Sequence, residues 1–124
     1  LGQAIATATA EALAAAAKSG LSIAKLHEVI SAGAVNSGIF QSIVGRMLEN
    51  GGNLEGLKFT LVNAMKDLRY YIHFAEALPV SSIVGSAVYQ SLVTANVLGF
   101  GDKYVASLVE AQEKLNGVTI VPRG

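Results

Sequence analysis

The sequence predicts an all-α domain of about six helices, and three observations carry that expectation. Apolar residues recur at three- and four-residue spacing through every long segment, the mark of helices that bury one stripe. Glycine, proline and cap-forming serines punctuate the chain at helix-length intervals. A β-branched run at residues 118–121 is too brief to found a sheet.

Residues 1–19 are alanine-rich, a strong helix-forming composition, and stop at Gly20, a suitable C′ glycine. Ser22 is placed to cap the next helix, with Leu21 and Leu26 as a hydrophobic staple around it. That helix carries Leu26, Val29 and Ile30 inward and ends at Gly33. Ser37 caps a third, along which Phe40, Ile43, Val44, Met47 and Leu48 fall at helical spacing. Asn50-Gly51-Gly52 stops it and begins a flexible connection running to about Lys58. The fourth helix ends before Pro79, because the residue preceding proline is steered away from α geometry. Ser81 or Ser82 caps a fifth, with Ile83, Val84, Ala87, Val88, Ala95 and Leu98 as its stripe, and Gly99-Phe100-Gly101 breaks it. Asp102 caps the last, through Val105, Leu108, Val109 and Leu115, closed by Asn116-Gly117. The tail beyond is expected to extend across a neighbour. Leu26, Ile30, Phe40, Val44, Leu48, Leu61, Leu68, Ile72, Val84, Val88, Leu108 and Leu115 form the expected core.

At 124 residues the chain is one domain by size, so residues 1–124 are read as a single helical domain. Hydrophobic residues make up 52% and charged residues only 15%, which leaves apolar surface for a partner chain or domain. A homodimer is the expected state. Nine basic residues balance nine acidic ones, so the basic stripe that phosphate backbones require is absent and nucleic acid is excluded as a partner. The absence of cysteine removes disulfides and thiolate chemistry and fits a reducing, cytoplasmic location. Residues 29–45 and 77–101 carry no charge, and the second exceeds the roughly 18–20 residues of a membrane span. Pro79, Ser81, Ser82, Gln90 and Asn96 interrupt it, so burial within protein rather than in a membrane is expected. The first helix opens at Leu1 without a capping residue and already in pattern, as though cut from a longer one. A fragment with an important segment upstream is the expectation.

The segment 59–68 concentrates the candidate chemistry. At about 3.6 residues per turn, Phe59, Lys66 and His73 share one face, with Asn63 and Tyr70 close by. Leu61, Ala64, Met65, Leu68, Ile72 and Ala75 form the opposite, apolar stripe. One helix thus presents an ammonium, an amide, a phenol and an imidazole along a face its core stripe does not need. Elsewhere the chemistry is sparse. His27 and His73 have no carboxylate or thiol at metal-ligand spacing and are expected to be surface imidazoles. Gly99-Phe100-Gly101 joins two helices and follows no strand, so it is a turn and not a dinucleotide fingerprint. No serine sits in a Gly-x-Ser-x-Gly elbow. Glu11 is either a cleft residue or a solubilising charge. Asp67 lies about 100° around the helix from Lys66 and is expected to pair with a nearby arginine or cap a neighbour. These residues do not make a complete active site.

Taken in order, several short motifs resemble the C-terminal helical domain of the β-hydroxyacid dehydrogenases, the family of 3-hydroxyisobutyrate dehydrogenase and tartronate semialdehyde reductase, related to 6-phosphogluconate dehydrogenase. Ala10-Glu11-Ala12-Leu13 followed by Gly20-Leu21 is similar to the end of the family's long interdomain helix. Val29-Ile30-Ser31 with Gly33 and Ser37 resembles its next helix and turn. Phe59, seven residues ahead of Lys66-Asp67-Leu68, matches the cofactor-side motif, and Pro79 with Tyr89 fits the helix after it. The resemblance implies an NAD- or NADP-dependent oxidoreductase acting on a small hydroxy acid. Its dinucleotide-binding sheet domain would precede this segment, and it would form a homodimer or tetramer. The family's general acid/base lysine would fall several residues before Leu1. Lys66 would reach across the interdomain cleft toward the nicotinamide, and Phe59 would help wall the pocket. Two departures stand out: the family's Lys-Asp-Leu-x-x-Ala-x-Asp reads Tyr71 and His73 at its last two fixed positions, and an aromatic before Ser37 is Asn36. A non-catalytic dimerisation or interaction module of the same fold, or an unrelated helical scaffold, remain as alternatives.

Overall fold

The computed structural model describes residues 1–122; the last two positions of the expected domain lie outside the described residues. The all-α expectation holds, with no strand among them. Helix α1 is Gly2–Ser19, α2 is Ile23–Ser31, and α3 spans 38–49. Helix α4 is Leu61–Ala77, α5 is Ile83–Ala95, and α6 is Leu108–Asn116.

The punctuation explains most boundaries. Gly20 adopts the left-handed conformation at φ 80°, and the Leu21 N–H returns to the Ala16 carbonyl at 3.0 Å, which satisfies the last carbonyls of α1. Ser22 and Ser37 accept the Lys25 and Phe40 N–H groups, as cap residues should. Gly117, at φ 60°, ends α6. Helix α3 is not uniform. Its middle, Gln41–Gly45, is a π turn between the α segments Gly38–Phe40 and Arg46–Glu49. The connection after it crosses so closely that a Cβ on Gly56 would collide with the Ser42 carbonyl. Helix α5 runs on into a second π turn, Asn96–Phe100, until Gly99 at φ 100° breaks it.

Other boundaries differ from the sequence reading. Asp102 caps no helix; it lies in a turn with Gly101, a 3-10 turn follows at Val105–Ser107, and α6 starts only at Leu108. Ser82 holds the N-cap position of α5, but its hydroxyl lies 3.4 Å from that of Ser86 and bonds no helix N–H. Leu21 is exposed, so it does not serve as half of a staple.

Helix α1 is the hub, packed against α2, α3, α5, α6 and the 105–107 turn. Its alanines, Ala6, Ala10 and Ala14, are buried beside Leu13 and let neighbouring backbones approach closely. Around them lie Ile43, Val44, Met47, Leu61, Leu92, Val105 and Val109, all within 1% of full burial. Of the expected core, Phe40, Val44, Leu61, Val88 and Leu108 are buried, and Leu26, Ile30, Leu48, Leu68 and Ile72 are half-buried. Val84 and Leu115 are exposed, a correction to the periodicity argument. Periodicity finds an apolar stripe but not whether this chain covers it. The same holds for Ile83–Phe100, which is long and apolar enough to cross a membrane at a mean hydropathy of 1.3. Only 17% of it is buried, so the expected burial is not supplied by this chain.

The tail packs on its own chain instead of crossing to a neighbour. Glu113, buried on α6, accepts the N–H groups of Ile120 at 2.6 Å and Val121 at 3.0 Å, and both side chains enter the core. Glu113→Ala is therefore expected to lower the unfolding free energy by about 2–3 kcal/mol in urea titrations, since a buried bond to a carboxylate is worth roughly 1.5–3 kcal/mol. A loss under about 0.5 kcal/mol would mean that the carboxylate does not hold the tail.

Candidate functional site

A short antiparallel contact fixes the start of α4. Thr60 and Tyr104 form an isolated bridge, the Val105 N–H donates to the Phe59 carbonyl at 2.9 Å, and the Leu61 N–H donates to the Lys103 carbonyl at 2.9 Å. The Val62 N–H reaches the Gly101 carbonyl at 3.1 Å, and the Thr60 hydroxyl accepts the Asn63 N–H at 3.3 Å. The first N–H groups of α4, which a helix leaves without internal partners, are thereby satisfied. This is what Gly99-Phe100-Gly101 does: it brings backbone carbonyls onto a helix end. At Gly101 the Asn96 side chain occupies the space a Cβ would take.

The arrangement revises the expected face. Thr60, the N-cap, has extended geometry at φ −72° and ψ 152°, so Phe59 precedes the helix and does not share a helical face with Lys66. Lys66 and His73, seven residues apart within α4, do share one, with Asn63 and Tyr70 beside them. All four are exposed. The opposite stripe is as read: Leu61, Ala64 and Ala75 are buried, and Met65, Leu68 and Ile72 half-buried. Phe59 stands at the bridge, 37% exposed.

Lys66 makes no hydrogen bond or ion pair with any described residue. The described ion pairs are Lys25–Glu28 and Lys103–Glu110, at 3.2 and 3.1 Å. Asp67 neither meets an arginine nor caps a helix among the described residues, contrary to expectation. Tyr71 has a packing role: its ring fills the space a Cβ on Gly85 would need, 2.8 Å away. That pairing of a large residue on α4 with a glycine on α5 accommodates the Tyr71 departure. Glu11 is exposed and borders a shallow groove toward Gln112 and Asn116.

Beside the bridge lies a cleft of about 500 Å³, with Asn53, Glu55, Asp102, Lys103, Tyr104 and Glu110 on its walls. Lys103 is paired to Glu110 and stands 5.3 Å from the Phe100 ring centre, so the remaining charge here is acidic. Phosphates are disfavoured in such a cleft.

His27 departs furthest from the sequence reading. It is half-buried, stacked on Phe40 at 5.8 Å, with Nε2 2.7 Å from the Gln41 amide oxygen. The Gln41 amide nitrogen donates to Ser31 Oγ at 2.8 Å and to Asn36 Oδ1 at 2.9 Å. The network staples α2 to the π turn. The i, i+4 spacing of His27 and Ser31 was a signal for it. Among the described residues no group of three or more His, Cys, Asp or Glu could hold a metal ion.

The geometry thus offers one exposed lysine on a helix anchored by its first turn, an exposed ring at the anchor, and no cradle for phosphates. A family model described as NAD-binding of NADP-dependent 3-hydroxyisobutyrate dehydrogenase matches residues 2–111. No curated protein matches the chain. The family match takes in every helix from α1 to α5, the bridge, and the Lys66 motif, and so the chain belongs to the NAD-binding domain family of 3-hydroxyisobutyrate dehydrogenase-type enzymes.

Proposed function

We propose that this chain is the C-terminal helical domain of an NAD- or NADP-dependent β-hydroxyacid dehydrogenase, closing the cleft over cofactor and substrate and building the oligomer interface. The observation that carries the reading is Lys66: an exposed ammonium with no partner among the described residues, on a helix whose first turn is fixed, within the matched family segment. The residues present fit one end of a dinucleotide. Lys66 can donate to oxygens at the nicotinamide end, and Phe59 can exclude water beside it. They do not fit the pyrophosphate, because the α4 N-terminus is occupied by the 101–103 carbonyls and the large cleft is acidic. A separate dinucleotide-binding sheet domain supplies that part in this reading.

The bound nicotinamide supplies hydride transfer to or from the hydroxy acid. Lys66 holds the ring end in place through its ammonium, on a helix that cannot slide because its first N–H groups are paired. Phe59 narrows the water-filled space. The acid/base role belongs to a lysine upstream of Leu1, on an extension of α1, and not to Lys66. A cytoplasmic enzyme acting on a small hydroxy acid is the setting this implies.

The isolated chain is expected neither to bind NAD or NADP measurably in calorimetry nor to oxidise hydroxy acids. In the full-length enzyme, Lys66→Ala is expected to cost about 10–100-fold in kcat/KM with the thermal melt unchanged, because a charged hydrogen bond is worth roughly 1.5–3 kcal/mol. A change under about twofold, the behaviour of a solvated surface lysine, would remove Lys66 from the site. Phe59→Ala is expected to weaken turnover similarly while leaving the melt within a few degrees of wild type, given that its ring is partly exposed and its bridge bonds are backbone. A large melt loss at unchanged kcat/KM would make Phe59 a packing residue only.

A further inference from the structure

The exposed face of α4 holds more than Lys66. At about 100° per residue, the positions within about 60° of Lys66 are Val62, Asn63, Arg69, Tyr70, His73 and Ala77. All six are exposed, and no carboxylate is among them. Asp67 and Glu76 lie about 100° and 80° away, one on each flank. Neither Lys66 nor Arg69 has a carboxylate three or four residues along, where helical ion pairs form. They have each other, three residues apart, and Arg69 has His73 four residues on. His73 has Glu76 three residues on, but the two do not form an ion pair among the described residues. Nor does Asn63, Lys66, Arg69, Tyr70 or His73 use its side chain in a hydrogen bond among those residues. Like charges at this spacing repel, so the arrangement opposes the helix until an anion sits on it. His73 also stands where the Lys-Asp-Leu-x-x-Ala-x-Asp pattern has its acid, so imidazole here removes the one carboxylate the face would carry.

We propose that Arg69 and His73 bind a second anionic group of the substrate, remote from its reacting carbon. The substrate class is then a hydroxy acid with a further carboxylate at its far end. This rests on the cofactor reading above, in which Lys66 holds the nicotinamide end, and names the substrate for it. Arg69 and His73 lie about 4.5 and 10.5 Å beyond Lys66 along the axis, at about 1.5 Å per residue. A group shared between them is roughly 7 Å past Lys66, the reach of about five or six carbon–carbon bonds. Arg69 suits the task, because its planar guanidinium offers two parallel donors to a carboxylate, and His73 adds another from the next turn. Tyr70, beside them and 63% exposed, gives the chain between the two anionic ends a ring to lie on. The cleft beside the 59–62 bridge cannot serve, since Glu55, Asp102 and Glu110 leave it acidic. The NADP 2′-phosphate is the poorer occupant. With the nicotinamide at Lys66 and the pyrophosphate on the sheet domain, the adenosine end lies farther from α4 than the ring does.

Calorimetry on the full-length enzyme loaded with NADH or NADPH tests this without turnover. The best of the diacids adipate, pimelate and suberate is expected to bind at least ~10-fold more tightly than hexanoate, heptanoate or octanoate, which lack the second carboxylate. Arg69→Gln combined with His73→Gln is expected to weaken that diacid about 10–100-fold, with the thermal melt unchanged because both side chains are exposed. In turnover, the matching β-hydroxy diacid is expected to exceed its mono-acid in kcat/KM by at least ~10-fold, a preference that the double variant loses. Equal binding of diacids and mono-acids by the wild type, or binding of neither, overturns the proposal whether or not the variant folds. A double variant that folds and keeps the preference also overturns it. A double variant that weakens NADPH and leaves the diacid preference intact assigns the two residues to the cofactor phosphate, and again the proposal falls. The cofactor reading fails by a different result, either no binding of NADH and NADPH by the full-length enzyme or wild-type kinetics for Lys66→Ala. With cofactor binding and the Lys66→Ala loss both in place, a missing diacid preference removes the substrate class alone.

Discussion

The backbone pairing of residues 59–62 with 101–105 is the constraint on which the rest of the candidate site depends. Helix α4 buries little of its own surface, so packing alone would leave its axis and rotation loosely set. Three N–H groups of Leu61, Val62 and Val105, each bound within 3.1 Å to a carbonyl on the facing segment, fix both. The facing segment is itself fixed, because Val105 and Ala106 are core residues and the 105–107 turn packs on α1. A chain of rigid contacts therefore runs from the central helix to Lys66.

That constraint also separates two tasks. A helix N-terminus is a ready site for phosphate, and α4 would be one if its N–H groups were free. Spending them on the 101–103 carbonyls makes α4 a rigid mount for side chains and gives up anion binding there. The acidic cleft beside the bridge acts in the same direction. In the function proposed above, a domain built this way completes a dinucleotide site from one side only, and the family match supports that reading.

Helix number and most helix ends were legible in the sequence, because Ser22, Ser37, Gly20, Gly99 and Gly117 act through local backbone geometry that neighbours do not override. Lys66, Asn63, Tyr70 and His73 were correctly grouped for the same reason, a fixed helical period. Phe59 was misplaced because Thr60 was passed over as an N-cap, a local signal in which the hydroxyl meets the Asn63 N–H three residues on. The bridge to Tyr104, some forty positions away, is recorded by no local pattern. Val84 and Leu115 were taken for core because an apolar stripe looks alike whether it meets its own chain or another. Glu113 gave no signal at all: its partners are backbone N–H groups of a tail that folds back over it.

A structure of the full-length enzyme with its nicotinamide cofactor bound tests the central claim most directly. The account predicts Lys66 Nζ about 3 Å from an oxygen at the nicotinamide end, with the 59–62 and 101–105 pairing unchanged and the phosphates on another domain. Lys66 in solvent, with the dinucleotide held against the acidic 53–55 and 102–104 cleft, would contradict it.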